Sequence, residues 1–250
     1  MLNNYYLQKE ASDFRLRNGI GACEPIRMKS WLPKLGVMAL FKPMSDHFSG
    51  MAIKHTGPIN EGDYKFIIIN SNHRISKQHF TIAHELYHLF IQKNFISEVS
   101  NAGRFDKKDK TEYEADWFAA YLLMPEECLL SLIPKVELAK NKITLTTIIQ
   151  MEQYFATSRT ALLIRLEAMG LIEYKKYIDY TKGVKHSAEL LGYDTSLYLP
   201  GNANLVIGNY GARAKKLFDE GKISESHFVS LMNDIGKDIE NLANDNEQEE

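Results

Sequence analysis

The pentad His84-Glu85-Leu86-Tyr87-His88 sets two imidazoles and a carboxylate at a spacing that suits metal chemistry. On a helix, positions four apart lie about 40° apart around the axis, so both histidines face one way. That spacing lets both bind one zinc ion. Glu85, about 60° beyond His88, flanks the metal, where it can take a proton from bound water. The plain alternative is two ordinary helical histidines. Yet Phe80, Ile82, Ala83, Leu86, Leu89, Phe90 and Ile91 surround them. A helix apolar on nearly every side is buried, and polar groups inside it need partners. A metal satisfies all three at once.

A catalytic zinc needs a third protein ligand and an open position for water. The downstream segment Thr111-Glu112-Tyr113-Glu114-Ala115-Asp116-Trp117-Phe118-Ala119-Ala120 offers two glutamates. On a helical wheel Asp116, Ala119, Leu122, Leu123 and Ala115 fall within about 80° of Glu112, and Glu114 lies about 200° away. Glu112 therefore points inward with the alanines, while Glu114 points outward or serves the helix cap. Asp116 is placed to accept the second ring N–H of a ligating histidine, which fixes the tautomer. Without a metal, Glu112 reads as a first-turn acid favoured by the helix dipole.

The elements that must hold these residues follow from periodicity. Residues 3–17 read as a helix with Tyr6, Leu7, Ala11 and Phe14 on one face, and 24–34 as a short second helix closed by Pro33. Segments 37–41, 51–53 and 64–69 read as strands, the last β-branched and buried. A helix over 76–93 takes Ser76 as its N-cap, and a loop runs from Ser97 to Lys110. Thr111 and Glu114 suit a capping box for a helix ending at Met124, and Pro125 starts another over 126–138. The first 140 residues thus mix a small sheet with helices, an α+β pattern. Helices at 143–154 and 158–169, split by Phe155-Ala156-Thr157 and closed by Gly170, have a helix-turn-helix outline. Further helices are expected at 182–191, 208–221 and 224–243, before a frayed acidic tail at 245–250.

Phe80-Thr81-Ile82-Ala83-His84-Glu85-Leu86-Tyr87-His88-Leu89, followed by Glu112-Tyr113-Glu114-Ala115-Asp116-Trp117-Phe118-Ala119-Ala120-Tyr121-Leu122-Leu123-Met124-Pro125, resembles the ImmA/IrrE family of zinc metalloendopeptidases. The resemblance extends loosely from residue 24 to 170. It implies His84, His88 and Glu112 as zinc ligands, Glu85 as general base, and a zincin-like core. The organisation expected is a metallopeptidase core over 1–140, a helix-turn-helix-like segment over 141–177 and a helical extension over 178–250. The resemblance also implies a regulatory protein substrate such as a helix-turn-helix repressor. Tyr87, Tyr113, Tyr121 and His79 are the candidates for an oxyanion donor.

Composition bounds the alternatives. The 250 residues are 44% hydrophobic and 25% charged with net charge −2, a globular mix with no global field toward nucleic acid or anionic lipid. The longest aliphatic run is Ile67-Ile68-Ile69, and no targeting segment is visible, so a cytoplasmic protein without membrane contact is expected. Cys23 and Cys128 fit a reducing cytosol as buried or inert thiols. No phosphate-binding loop or dinucleotide fingerprint occurs. Between 141 and 177, Lys142, Arg159, Arg165, Lys175 and Lys176 face Glu152, Glu167 and Glu173, a weak footprint for DNA. Leu162, Leu163, Ile164 and Leu166 leave little room for base readout, so protein docking or packing is favoured there. The rival is a metal-stabilised transcription regulator without peptidase activity. Glu85 separates the two, because a structural site has no use for a base beside the metal.

Overall fold

The computed structural model describes residues 2–56, 63–140 and 142–235. In chain order the elements are α1 (Leu2–Arg17), α2 (Met28–Lys34), β1 (Val37–Lys42), β2 (Gly50–Thr56), β3 (Asp63–Asn70), α3 (Ile75–Phe90), β4 (Ser97–Ser100) and α4 (Lys110–Leu123). There follow α5 (Glu126–Leu132), α6 (Lys135–Ala139), α7 (Leu145–Phe155), α8 (Arg159–Ala168), α9 (Tyr174–Tyr177), α10 (Val184–Leu190), β5 (Val206–Ile207), α11 (Tyr210–Asp219) and α12 (Glu225–Asp234). The fold is α+β, as expected.

The five strands form one mixed sheet in the order β4-β2-β3-β1-β5. β3 runs parallel to β1 and antiparallel to β2, and β4 is an edge strand antiparallel to β2. Ile67 and Ile69 of β3 and Ala52 of β2 are fully buried, consistent with the β-branched run that nominated β3 as interior. α3 lies against β2 and β3, α4 packs on α3, and α1 packs on α4. Phe14 of α1 gathers Trp31, Phe90 and Phe118 at ring-centroid distances of 5.6, 5.2 and 6.0 Å. One hydrophobic cluster runs from Leu7 through the sheet to Leu166, Tyr177 and Ile207.

Several local expectations are corrected. α3 begins at Ile75, with Arg74 and not Ser76 at its N-cap. The buried Gln78 amide ties down that start by donating to the carbonyls of Ser71, His73 and Gly201. α4 is capped by Asp109, whose carboxylate accepts the Thr111 and Glu112 amides, so the Thr111–Glu114 capping box does not form. The loop from Ser97 opens with β4, because pairing with β2 supplies partners for its backbone. The 126–138 helix is two, broken at Pro134, which has no N–H to continue the first. Tyr6 is exposed, while Leu7, Ala11 and Phe14 form the buried stripe of α1. The 245–250 tail and the end of the 224–243 helix lie outside the described residues.

The cysteines are corrected as well. Cys23 and Cys128, 105 residues apart in sequence, are joined in a disulfide with Cα atoms 5.2 Å apart. They are not free thiols, and the cysteine-based reason for a reducing compartment falls away. No helix among the described residues is long and apolar enough to cross a membrane.

α7 and α8 fall on the two helices expected over 143–154 and 158–169. Thr144 and Ser158 cap α7 and α8 with side-chain oxygens, Ala156 turns the chain between them at φ 51°, and Gly170 follows α8 at φ 72°. Arg159 of α8 is nearly fully buried. Its guanidinium meets Glu152 at 2.9 and 2.5 Å and also donates to Tyr180 O and Ser187 Oγ. Arg165 is buried too, stacked 4.7 Å from the Tyr121 ring centroid and directed at Met124 O and Glu126.

Candidate metal centre

α3 is buried on nearly every side, and its pentad faces α4, which packs against it. Small residues on α4 permit that approach: Ala115, Ala119 and Ala120 are fully buried. Glu112, at the start of this face, reaches both histidines. Its Oε2 lies 3.3 Å from His84 Nε2 and its Oε1 lies 3.1 Å from His88 Nε2. The two Nε2 atoms are 3.1 Å apart. The structure therefore brings His84, His88 and Glu112 together, with one ligand atom from each within 4.8 Å of the others.

Each imidazole is held by its other nitrogen. His84 Nδ1 donates to Asp116 Oδ1 at 2.8 Å, and His88 Nδ1 donates to Gln92 Oε1 at 2.5 Å. These bonds place a ring proton on each Nδ1 and turn both Nε2 atoms toward Glu112, where a metal would displace the proton shared there. Asp116 is itself fixed by the Gly103 and Phe105 amides, each donating at 2.7 Å. Burial alone would lower the His84 pKa, but the hydrogen bonds to Asp116 and Glu112 outweigh it and raise the value to about 10. Burial would raise Glu112, and the two histidines instead pull it down to about 2. A cation held among these groups competes with the proton they otherwise share.

The donor set fits zinc. Two imidazole nitrogens and one carboxylate form a known catalytic zinc set, and ligand atoms at about 2.0–2.1 Å in a tetrahedron stand roughly 3.3 Å apart, close to these separations. Glu112 Oε1, despite its nearness to His88, is buried without a hydrogen bond. A buried carboxylate oxygen with no donor is costly unless a cation faces it.

Glu85 is fully buried beside this cluster. Its Oε1 accepts a hydrogen bond from Ser100 Oγ of β4, and its Oε2 has no partner among the described residues. Burial raises the Glu85 pKa against the opposing pull of His84 and His88. Gly50 of β2 makes room for it: a Cβ there would stand 2.6 Å from Thr81 Cγ2 and 2.8 Å from Glu85 Oε1.

The other sequence candidates go elsewhere. Glu114 neither caps the helix nor faces open solvent; it accepts the Tyr87 hydroxyl at 2.8 Å. His79 Nδ1 bonds Ala156 O, and Tyr121 stacks between Trp117 and the Arg165 guanidinium. Tyr113 meets Trp117 edge to face. Sequence reading missed Ser100, Gly50 and Gln92. Gln92 stands four residues after His88, but α3 ends at Phe90 and not at 93, so it reaches the imidazole from the bend beyond the helix. Ser100 and Gly50 carried no local signal, because only strand pairing sets them opposite each other next to Glu85.

Comparison with known proteins agrees with this geometry. The family model for the IrrE N-terminal-like domain, a peptidase family, matches residues 34–167, just over half of the chain. Metallopeptidase ImmA of Bacillus subtilis (strain 168) is 34% identical over 71 residues, 28% of this chain and 41% of that relative. The aligned stretch thus spans less than half of the relative's length. The matched region contains α3 and α4 with all of the residues gathered above, and the chain belongs to the ImmA/IrrE family of metallopeptidases.

Proposed function

We propose that this chain is a zinc-dependent endopeptidase in which His84, His88 and Glu112 hold the metal and Glu85 is the general base. The observation that carries the reading is the unpartnered Glu85 Oε2, buried next to two Nε2 atoms and a carboxylate that converge. Bound there, zinc would polarise a scissile carbonyl and lower the pKa of a water.

The protein's own part is to position and to move a proton. Asp116 and Gln92 orient the imidazoles. Ser100 holds one oxygen of Glu85, so the other is free to accept a proton from water as the water oxygen adds to the peptide carbon. The same carboxyl then delivers that proton to the amide nitrogen as the C–N bond breaks. Burial, by raising the Glu85 pKa, strengthens it as a base.

The substrate class rests on family membership: a regulatory protein such as a helix-turn-helix repressor. The rival reading, a metal-stabilised regulator acting on DNA, needs base-reading side chains on α8, and Arg159 and Arg165 are both committed internally.

The test is Glu85→Gln, which preserves shape and removes the base. The variant should fold and keep its zinc by elemental analysis, while turnover of a repressor recovered by trapping falls by at least ~10². Wild-type turnover in the variant overturns the role of Glu85. A wild-type protein that binds the repressor and leaves it intact with zinc supplied overturns the peptidase reading.

A further inference from the structure

A cavity of about 630 Å³ lies between the first turn of α3, the loop after β4 and the first turn of α8. None of His84, Glu85, His88 or Glu112 lines it. Its charged walls are Asp46, His73, Arg74, Lys77, Arg104 and Arg159. Arg159 is neutralised by Glu152 behind it. His73 adds no fixed charge, since burial and the neighbouring Lys77 lower its pKa. What remains is three cations, Arg74, Lys77 and Arg104, against the single carboxylate of Asp46. None of the three forms an ion pair with a carboxylate among the described residues.

Like charges are not normally gathered around a half-enclosed space without something to offset them. Burial and then the facing Arg104 charge lower the Lys77 pKa, and Asp46 only partly compensates. Two long helices, α3 and α8, also turn their N-terminal ends to this space, and α3 has no side-chain cap. Their dipoles add to the same positive potential. The lining also has an apolar part, with Phe80, Ile164 and Val184.

The geometry points to a binding site for a phosphate-bearing small molecule of nucleotide size, with the phosphate between Lys77, Arg104 and Arg74 and the organic part against Phe80, Ile164 and Val184. The volume falls within the range of small-ligand pockets, roughly 300–1,000 Å³. Guanidinium groups suit phosphate oxygens through paired donors, and the lysine adds a point charge. The site does not depend on the peptidase reading, although the loop bearing Arg104 also supplies the Gly103 and Phe105 amides that hold Asp116.

Calorimetric titration of the full chain with inorganic phosphate, ADP and a triglutamate peptide tests this. ADP should bind more tightly than inorganic phosphate, and the peptide more weakly than either. Lys77→Gln and Arg104→Gln should each weaken ADP by about tenfold or more, while Lys140→Gln, outside this cavity, should not. Circular dichroism establishes that each variant is folded. Three results would overturn the proposal: no heat with ADP at millimolar concentration, ADP binding unchanged in both cavity variants, or tighter binding of triglutamate than of ADP. The last would make the cavity a subsite for acidic peptide side chains.

Discussion

His84 Nδ1 stands 2.8 Å from Asp116 Oδ1, and the Asp116 carboxylate also accepts two backbone amides from the loop that follows β4. One acid therefore sets both the tautomer of a metal-facing histidine and the path of a loop. Asp116→Asn keeps the shape but replaces one acceptor oxygen with a donor, which cannot serve all three partners. Zinc affinity should fall by about 10–100-fold. A competition titration against a chromophoric chelator measures it, and unchanged affinity would show that the orienting bond contributes nothing.

Glu112 and Glu114 differ by two residues and face different groups. Glu112→Gln should weaken zinc binding strongly, since its oxygens lie 3.3 and 3.1 Å from the two Nε2 atoms. Glu114→Gln should leave zinc nearly unchanged, because that side chain holds Tyr87. The reverse order in a metal titration would place the wrong acid at the centre.

Removing the metal should destabilise the fold. Two imidazoles and a carboxylate are held close in a buried pocket, and a ligand that binds only the folded chain stabilises it by mass action. Chelator should lower Tm for the wild type and have little effect on His84→Ala or His88→Ala. Equal shifts in all three would mean that the chelator acts elsewhere.

Gly50 is needed for its lack of a side chain. Gly50→Ala would press a methyl group against Thr81 Cγ2 and Glu85 Oε1 at 2.6 and 2.8 Å and against Ile68 O at 3.2 Å. Overpacking of this kind costs about 1–3 kcal/mol. Urea unfolding should show that loss. Peptidase turnover should drop further than zinc content, because the displaced group is the proposed base and not a proposed ligand. Proportional loss of zinc and turnover would contradict the separation of roles.

The Glu152–Arg159 pair is almost fully buried, and Tyr198 donates a third hydrogen bond to Glu152 at 2.6 Å. Arg159→Met alone strands a buried carboxylate and should cost about 3–5 kcal/mol, whereas joint replacement by Glu152→Leu and Arg159→Met should cost much less. With the α8 arginines inside, DNA binding in a mobility-shift assay should be weak, salt-sensitive and indifferent to sequence. A sequence-specific complex surviving physiological salt would reverse this view of α7 and α8.

Local rules by themselves determined a good deal. The pentad's spacing put His84 and His88 on one face, and the wheel of the next helix separated Glu112 and Asp116 from Glu114, because a 3.6-residue period fixes direction within one helix. The β-branched run at 64–69 marked the central strand, where Ile67 and Ile69 are buried while Phe66 and Ile68 on the other face are half-buried. What only the tertiary structure decided were relationships across long separations. Ser100 reaches Glu85 through pairing of β4 with β2, Gly50 leaves the space between them, and Cys23 meets Cys128 over 105 residues. Arg159 turned inward because Glu152, Ser187 and Tyr180 converge on it from three segments. Periodicity says which way a side chain points from its own axis. Only the packing of one axis on another says what it meets there.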